Sequence, residues 1–425
     1  MNIAMLHPAE QIVMIMQRLY DYQMTTTTGG NLSIMDSEGV MWISPSGIDK
    51  GSLTPADIMR VLPDGTILGP HKPSCEYPFH LAIYKSRPEI RAVFHAHPPA
   101  TVAFSLLRQI PTMDILPDLA HLCPSVGIAK YAVPGSALLG DNIAAEFEKG
   151  YDIVMMENHG LVLGGKTLYD VMLSFEAMDF AARMLVHAHS VSPKYLRHLT
   201  AEQLAPAEPA ALRAYTPAAH TAEELTARKE MLALLRRVYN NRLTYCVGAS
   251  FSVKLSDGSI LITPEGKDIL YLEREDLVLV KGCRAEKGKT PSFNLGLHQA
   301  IYAANPDLTS IITAEPPYAM AFAVTDAQLD GKLIPESYIA MKNVLRFKFN
   351  ATDAEIASAM SIKEPTAVVE NRFVITVGNS PLNTFDRLEV LEYGARAVVD
   401  TILLDEKIVA ISPEEIHDIE VAFNL

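Results

Sequence analysis

The segment Ala92-Val93-Phe94-His95-Ala96-His97, answered further along the chain by Glu157-Asn158-His159-Gly160, supplies three imidazoles to one divalent metal ion. In an extended strand side chains alternate between faces, so His95 and His97 point the same way across the small Ala96. The apolar run Asp152-Ile153-Val154-Met155-Met156 has strand character and delivers His159 at its end, where Gly160 lets the backbone come close. Three imidazoles with one open position describe a catalytic site rather than a closed structural one. A His-x-His pair on a strand also occurs as plain core or surface histidine, so the neighbouring segments decide.

Upstream, Pro73-Ser74-Cys75-Glu76 stands directly before a helical pattern at Phe79, Leu81, Ala82 and Tyr84. That places a carboxylate at a helix start, either for chemistry or only to answer the helix dipole. Thr28-Gly29-Gly30-Asn31-Leu32-Ser33 and Ser44-Pro45-Ser46-Gly47 are turns rich in glycine and hydroxyl groups. Such turns offer N–H and side-chain donors to a phosphate, though each alone also suits an ordinary turn. The other pair, His187-Ala188-His189, follows a stretch rich in alanine and methionine with helical character. On a helix, positions two apart diverge by about 200°, so this pair is expected at a helix end and not on a metal.

Taken in order, Gly30-Asn31-Leu32-Ser33, Pro45-Ser46-Gly47, Pro73-Ser74-Cys75-Glu76, His95-Ala96-His97 and His159-Gly160 resemble the class II aldolase/adducin family. That family includes L-fuculose-phosphate and L-rhamnulose-phosphate aldolases and ribulose-phosphate 4-epimerase. The resemblance implies a Zn2+ ion on His95, His97 and His159, with Mn2+, Fe2+ or Co2+ as alternatives compatible with such ligands. It implies Glu76 as general base and a phosphate held through neutral donors by Gly30, Asn31, Ser46, Gly47, Ser74 and Cys75. Cys75 departs from the family's second serine and is a weaker hydrogen-bond donor. No tyrosine follows Ile110-Pro111, where the fuculose-phosphate aldolase pattern has one; Asp114, Asp118 or His121 is left to serve the aldehyde half, unless this is a solvated loop.

The activity so implied is retro-aldol cleavage of a ketose phosphate to dihydroxyacetone phosphate and an aldehyde. A sugar-phosphate 4-epimerase, a decarboxylase or a dehydratase would use the same metal-enolate site. A non-catalytic, adducin-like interaction protein is the alternative of another class. Intact His95, His97, His159 and Glu76 speak against it.

The elements needed to position these residues are helices at Ala9–Tyr20, Tyr77–Lys85, Ala100–Leu107 and Leu138–Lys149, with strands around Asn31–Met35, Val40–Ile43, Ala92–His97 and Ile153–Glu157. They alternate without a regular βαβ rhythm, which favours a mixed or antiparallel sheet between helices. The family's fold agrees: a three-layer α/β/α sandwich with a mostly antiparallel central sheet.

That fold is expected twice. Ile43-Ser44-Pro45-Ser46-Gly47 returns as Ile262-Thr263-Pro264-Glu265-Gly266, Arg18-Leu19-Tyr20 as Arg237-Val238-Tyr239, and Ser33 as Ser252, all at one displacement. The expected organisation is a catalytic domain over 1–203, a proline- and alanine-rich linker over 204–220, and a degenerate domain over 221–425. In the second copy Glu76 becomes Asn294, His95 and His97 become Thr313 and Glu315, and His159 becomes Arg372. Arg372 either pairs with Glu315, as a fixed positive charge in the vacated pocket, or each simply faces solvent after drift. The family's simple aldolases are tetramers with sites between subunits, so the fused chain is expected to form a homodimer in which the second copy serves as a wall.

Hydrophobic residues make up 49% and charged ones 20% of the chain, enough for a core in each half. A net charge of −14 without a basic run argues against nucleic acid or an anionic membrane as partner. A sugar phosphate would need local attraction. The first residues show no signal peptide, and Cys75, Cys123, Cys246 and Cys283 form no Cys-x-x-Cys pair. A cytoplasmic location with reduced thiols is expected.

Overall fold

The computed structural model describes residues 3–205, 212–404 and 406–424. The chain forms two units, Met1–Met113 with Leu119–Arg183, and Asp114–Asp118 with Met184–Leu425. The first contains helix α1 (Pro8–Asp21) and strands β1 (Asn31–Met35), β2 (Met41–Ile43), β3 (Met59–Val61) and β4 (Ile67–Leu68). Helix α2 (Tyr77–Ser86), strand β5 (Ala92–Ala96), and helices α3 (Pro99–Leu107) and α4 (Pro117–Leu122) follow. Strand β6 (Val126–Ala129), helix α5 (Ala137–Glu148), strands β7 (Ile153–Met156) and β8 (Leu161–Gly165), and helix α6 (Leu168–Val191), which from Met184 onward groups with the second unit, complete it.

The eight strands lie in the order β4-β3-β2-β1-β5-β8-β7-β6, antiparallel except for the β6–β7 pair. Strand β5 is central and all five of its residues are buried. Its alternation builds the layers. Val93 joins Phe79, Ile83, Leu139, Ile143 and Phe147 in a core under α2 and α5. Phe94 points the other way and meets Phe175 of α6, ring centres 4.3 Å apart. On that second face α1 and α6 are tied by the buried pair Arg18–Glu176, with Nε to Oε1 at 3.0 Å and Nη2 to Oε2 at 3.1 Å. His95 shares the face of Val93 and so lies beneath the start of α2.

The second unit repeats the plan. It opens with β9 (Arg213–Tyr215), α7 (Ala222–Asn240), β10 (Ser250–Lys254), β11 (Ile260–Ile262), β12 (Val278–Lys281) and β13 (Arg284–Glu286). Then come α8 (Leu295–Ala304), β14 (Ser310–Ala314), α9 (Pro317–Ala323), α10 (Pro335–Met341), β15 (Leu345–Phe347) and α11 (Asp353–Ala359). Strands β16 (Thr366–Val369) and β17 (Phe373–Gly378) and helices α12 (Pro381–Leu403) and α13 (Pro413–Phe423) close it. The sheet order is β15-β16-β17-β14-β10-β11-β12-β13-β9, again mostly antiparallel. Helices α8 and α11 cover one face through Leu295, Ile301 and Ile356. Helices α7 and α12 pack on the other, where Arg237 stacks 4.3 Å over the ring of Phe385. The three-layer sandwich with a mostly antiparallel sheet is thus present twice.

The expected linker differs in part. Residues 206–211 lie outside the described residues, but Arg213–Tyr215 forms β9, parallel to β13. It covers an edge strand whose N–H and C=O groups would otherwise stay unpaired, a need that three residues of sequence do not announce. His187 lies within α6 and stacks on Tyr318 at 3.8 Å. All four cysteines are free, and among the described residues no helix is long and apolar enough to cross a membrane.

Candidate active site

Three elements of the first unit converge at the C-terminal end of β5. His95 is its fourth residue, and His97 follows just beyond the strand. His159 sits in the β7–β8 turn, which closes through Met156 N–H to the Gly160 carbonyl at 2.8 Å and His159 N–H to the Met156 carbonyl at 3.2 Å. Asn158 makes this turn possible with φ of 54°, a conformation asparagine tolerates better than most residues. Gly160 is needed for proximity: a Cβ there would lie 2.7 Å from the Ala96 carbonyl and 2.8 Å from Cδ2 of His97.

One nitrogen from each of His95, His97 and His159 lies within 4.8 Å of the others. Glu76, the residue preceding α2, makes no capping hydrogen bond, so its carboxylate is not spent on the helix. It points instead at the histidines, Oε2 being 3.2 Å from Nε2 of His95 and Oε1 3.5 Å from Nε2 of His159. The His95 Nδ1–H donates to the Leu161 carbonyl at 2.7 Å, which leaves the Nε2 lone pair free in the way metal-binding histidines are usually held. Nε2 of His95 and Oε1 of Glu76 are buried without a hydrogen-bond partner. These residues fit one divalent cation.

The electrostatics agree with that fit. Burial lowers His97 to about 3 and His159 to about 4, reinforced by the neighbouring His95, so both imidazoles are neutral at pH 7, the state that metal binding requires. Burial alone would raise Glu76, but the imidazole of His95, the amide of Asn31 and the imidazole of His159 outweigh it and hold the carboxyl well below its usual range.

The two turns expected to hold a phosphate lie side by side. Pro45 and Pro73 form a bridge, Ser46 N–H donates to the Lys72 carbonyl at 2.9 Å, and Ser74 N–H donates to the Ser44 carbonyl at 3.2 Å. Gly47 is exposed with φ of 68° and open space where a Cβ would be, and Cys75 is also exposed. Ser74 Oγ accepts the Glu76 N–H at 3.3 Å. Gly30, with φ of 68°, packs so that a Cβ would come 2.8 Å from the His95 carbonyl oxygen.

Asn31 has a second connection. Its Nδ2 donates to Glu76 Oε2 at 2.8 Å and its Oδ1 meets His80 Nε2, so one of its amide N–H groups is given to the carboxylate. Lys50 was not among the expected residues. Its side chain is buried, its Nζ donates to the Pro45 carbonyl and its N–H to the Thr27 carbonyl at 2.8 Å, and burial lowers it to about 8. The signal was present as a lysine three residues after Gly47, but a lysine in a turn ordinarily faces water.

Of the residues considered for an aldehyde, Asp114 pairs with His198 at 2.9 Å, Asp118 accepts from the Tyr245 hydroxyl at 3.4 Å, and His121 is exposed on α4. Both aspartates group with the second unit.

In that unit other residues stand at the corresponding positions. Asn294 Nδ2 donates to Thr313 Oγ1 at 3.1 Å, and Glu315 accepts from Thr244 Oγ1 at 3.0 Å. Arg372 does not pair with Glu315; its guanidinium lies 4.8 Å over the Phe373 ring. Burial, with Asp118 and Glu265 nearby, pushes Glu315 well above the carboxylate range.

The chain matches the family model described as Class II Aldolase and Adducin N-terminal domain over residues 10–186 and again over 229–399. It is 34% identical over 202 residues to a 5-deoxy-D-ribulose 1-phosphate aldolase of Bacillus thuringiensis serovar kurstaki, covering 46% of this chain and 92% of that protein. It is 31% identical to a 3-oxo-tetronate 4-phosphate decarboxylase of Pectobacterium atrosepticum, covering 42% and 83%. It is 30% identical to an L-fuculose phosphate aldolase of Methanococcus maripaludis, covering 41% and 93%. A solved structure of L-fuculose 1-phosphate aldolase aligns with a TM-score of 0.42 at 28% identity, covering 46% of this chain and 92% of that one.

Proposed function

Because the chain belongs to the class II aldolase and adducin family, we propose that it is a metal-dependent lyase that cleaves a ketose phosphate by retro-aldol chemistry to dihydroxyacetone phosphate and an aldehyde. The observation that carries this reading is the convergence of His95, His97 and His159 with Glu76 set between them. A divalent cation held there, for which zinc is our choice, supplies electrophilic stabilisation of the negative charge that develops on the ketose oxygens. Glu76 is placed to return and remove the proton of the enediolate carbon, and the carboxylate state favoured by its surroundings is the one a base requires. Gly30, Asn31, Ser46, Gly47, Ser74 and Cys75 would offer neutral donors to the phosphate. Lys50, behind the same turn, adds the local positive charge that a chain of net charge −14 otherwise lacks.

A decarboxylase acting on a phosphorylated oxo-acid is the second reading, favoured by the relative that carries that activity. Residues 1–203 are the catalytic part in this proposal and 221–425 its non-catalytic counterpart. The assembly would be a homodimer, which a single-chain mass in sedimentation would contradict.

The test is exchange of the hydroxymethyl proton of dihydroxyacetone phosphate in deuterated water, followed by NMR on zinc-loaded protein. Wild type should exchange, and Glu76→Gln should keep its metal yet lose exchange by several orders of magnitude. No exchange from metal-loaded wild type would move the assignment to the decarboxylase.

A further inference from the structure

Behind Glu76 lies a buried row of polar groups that the reaction does not touch. Asn31 Nδ2 donates to Glu76 Oε2 at 2.8 Å, and Asn31 Oδ1 contacts His80 Nε2. His80 Nδ1 is 2.7 Å from Ser33 Oγ, which is 2.7 Å from the Tyr84 hydroxyl. His80 and Ser33 are fully buried, and Asn31 and Tyr84 nearly so.

The proton positions follow from donor and acceptor capacity. A carboxylate only accepts, so the Asn31 amide nitrogen faces Glu76 and its oxygen faces His80. That oxygen needs a donor, so the His80 proton is on Nε2. Burial lowers His80 to about 3; the ring is neutral and its Nδ1 accepts from the Ser33 hydroxyl. Ser33 Oγ then accepts from Tyr84. Every hydrogen bond in the row points toward Glu76.

The second copy separates two roles within this row. Ser252 Oγ is 2.7 Å from His298 Nδ1 and 2.8 Å from the Tyr302 hydroxyl, so the serine, histidine and tyrosine are retained where no catalytic group remains. They fasten the helix to the sheet. Asn31, which pairs with His95 across the strands, has its counterpart in Ser250, which pairs with Thr313. There Ser250 Oγ and His298 Nε2 have no hydrogen-bond partner. The arm from histidine to carboxylate is absent in the unit that also lacks the carboxylate and the metal ligands.

We propose that His80 is a positioning residue for the catalytic carboxylate: its Nε2–H fixes the rotamer of the Asn31 amide, which holds Glu76 against the three histidines, while its Nδ1 side is a structural fastening common to both units. This rests on Glu76 being the base.

The experiment uses the full chain loaded with zinc, with dihydroxyacetone phosphate as probe. Asn31→Ser copies Ser250 and leaves the Ser33–His80–Tyr84 fastening in place. We expect its saturated exchange rate to fall at least a hundredfold, with half-saturation within about threefold of wild type and one metal retained. In parallel, 15N NMR of the histidines, with His80 assigned by its loss in His80→Gln, should show a neutral ring protonated on Nε2 in wild type. The His80→Gln variant keeps an N–H near the Nε2 position and should exchange faster than His80→Leu. A proton on Nδ1 of His80, or an Asn31→Ser variant that only raises half-saturation, would overturn the proposal. The tautomer is read without turnover, so it stands even where wild type shows no exchange; that second outcome would sink the base assignment of Glu76 instead.

Discussion

Glu76 and Lys50 illustrate how one side chain's meaning depends on where its charge can go. A glutamate before a helix usually answers the helix N-terminus, but here no capping bond is made and the carboxylate turns to His95 and His159. Lys50 is buried with its Nζ on a single carbonyl, and no carboxylate lies within ion-pair distance of it among the described residues. A buried ammonium without a counter-ion is costly, and a phosphate dianion at the adjoining turns would relieve that cost. Lys50→Met should therefore raise half-saturation for dihydroxyacetone phosphate roughly ten- to hundredfold, the equivalent of about 1.5–3 kcal/mol for a charged hydrogen bond, with the saturated exchange rate little changed. Equal loss for phosphorylated and unphosphorylated ketones would discard that role.

At the scale of elements, the site is built at the C-terminal end of a central strand. Strand β5 aims His95 by its two-residue period, Glu76 immediately precedes α2, and the β7–β8 hairpin returns His159 to them. The hairpin can only come this close because Gly160 has no side chain. A methyl group there would meet the Ala96 carbonyl at 2.7 Å and the His97 ring at 2.8 Å, contacts that backbone cannot yield cheaply. Gly160→Ala is expected to weaken zinc binding tenfold or more in a chelator competition while leaving unfolding of the second unit unchanged. Wild-type affinity in that variant would mean the hairpin has slack. The serine, histidine and tyrosine fastening belongs to this scale too, since it recurs between α8 and β10 as it does between α2 and β1.

Across the whole molecule, the fold occurs twice while the residues of the candidate site occur in one copy. Both copies bury a histidine in the fastening, and burial lowers His298, like His80, to about 3. In the unfolded chain a histidine titrates near 6.5. As pH falls below that value the unfolded state binds a proton that the folded state refuses until about 3, so stability is full above 6.5 and is lost progressively as pH drops toward 3. From pH 7 to pH 5 each histidine should cost about 2 kcal/mol. The shift of the urea midpoint between those values should be smaller in His298→Gln than in wild type, and equal shifts would refute the assignment.

The sequence by itself picked out the three histidines and the carboxylate that converge in the first unit, the two copies of the fold, and the different residues at the corresponding positions of the second. Periodicity of two on a strand, a helix start and a repeated turn are local signals, and His95, His97, His159 and Glu76 lie where those signals placed them. Tertiary structure alone decided the rest. Asn31 was expected at a phosphate and also gives an N–H to a carboxylate, because only packing brings His80 from α2 against β1. Lys50 became a buried charge through the fold of its own turn. Arg372 and Glu315 were proposed to pair, but Glu315 is buried near other acids and accepts from Thr244, while the Arg372 guanidinium lies over the Phe373 ring. Hydrogen-bond direction and desolvation depend on what surrounds a group on every side, and that information is not carried by spacing along the chain.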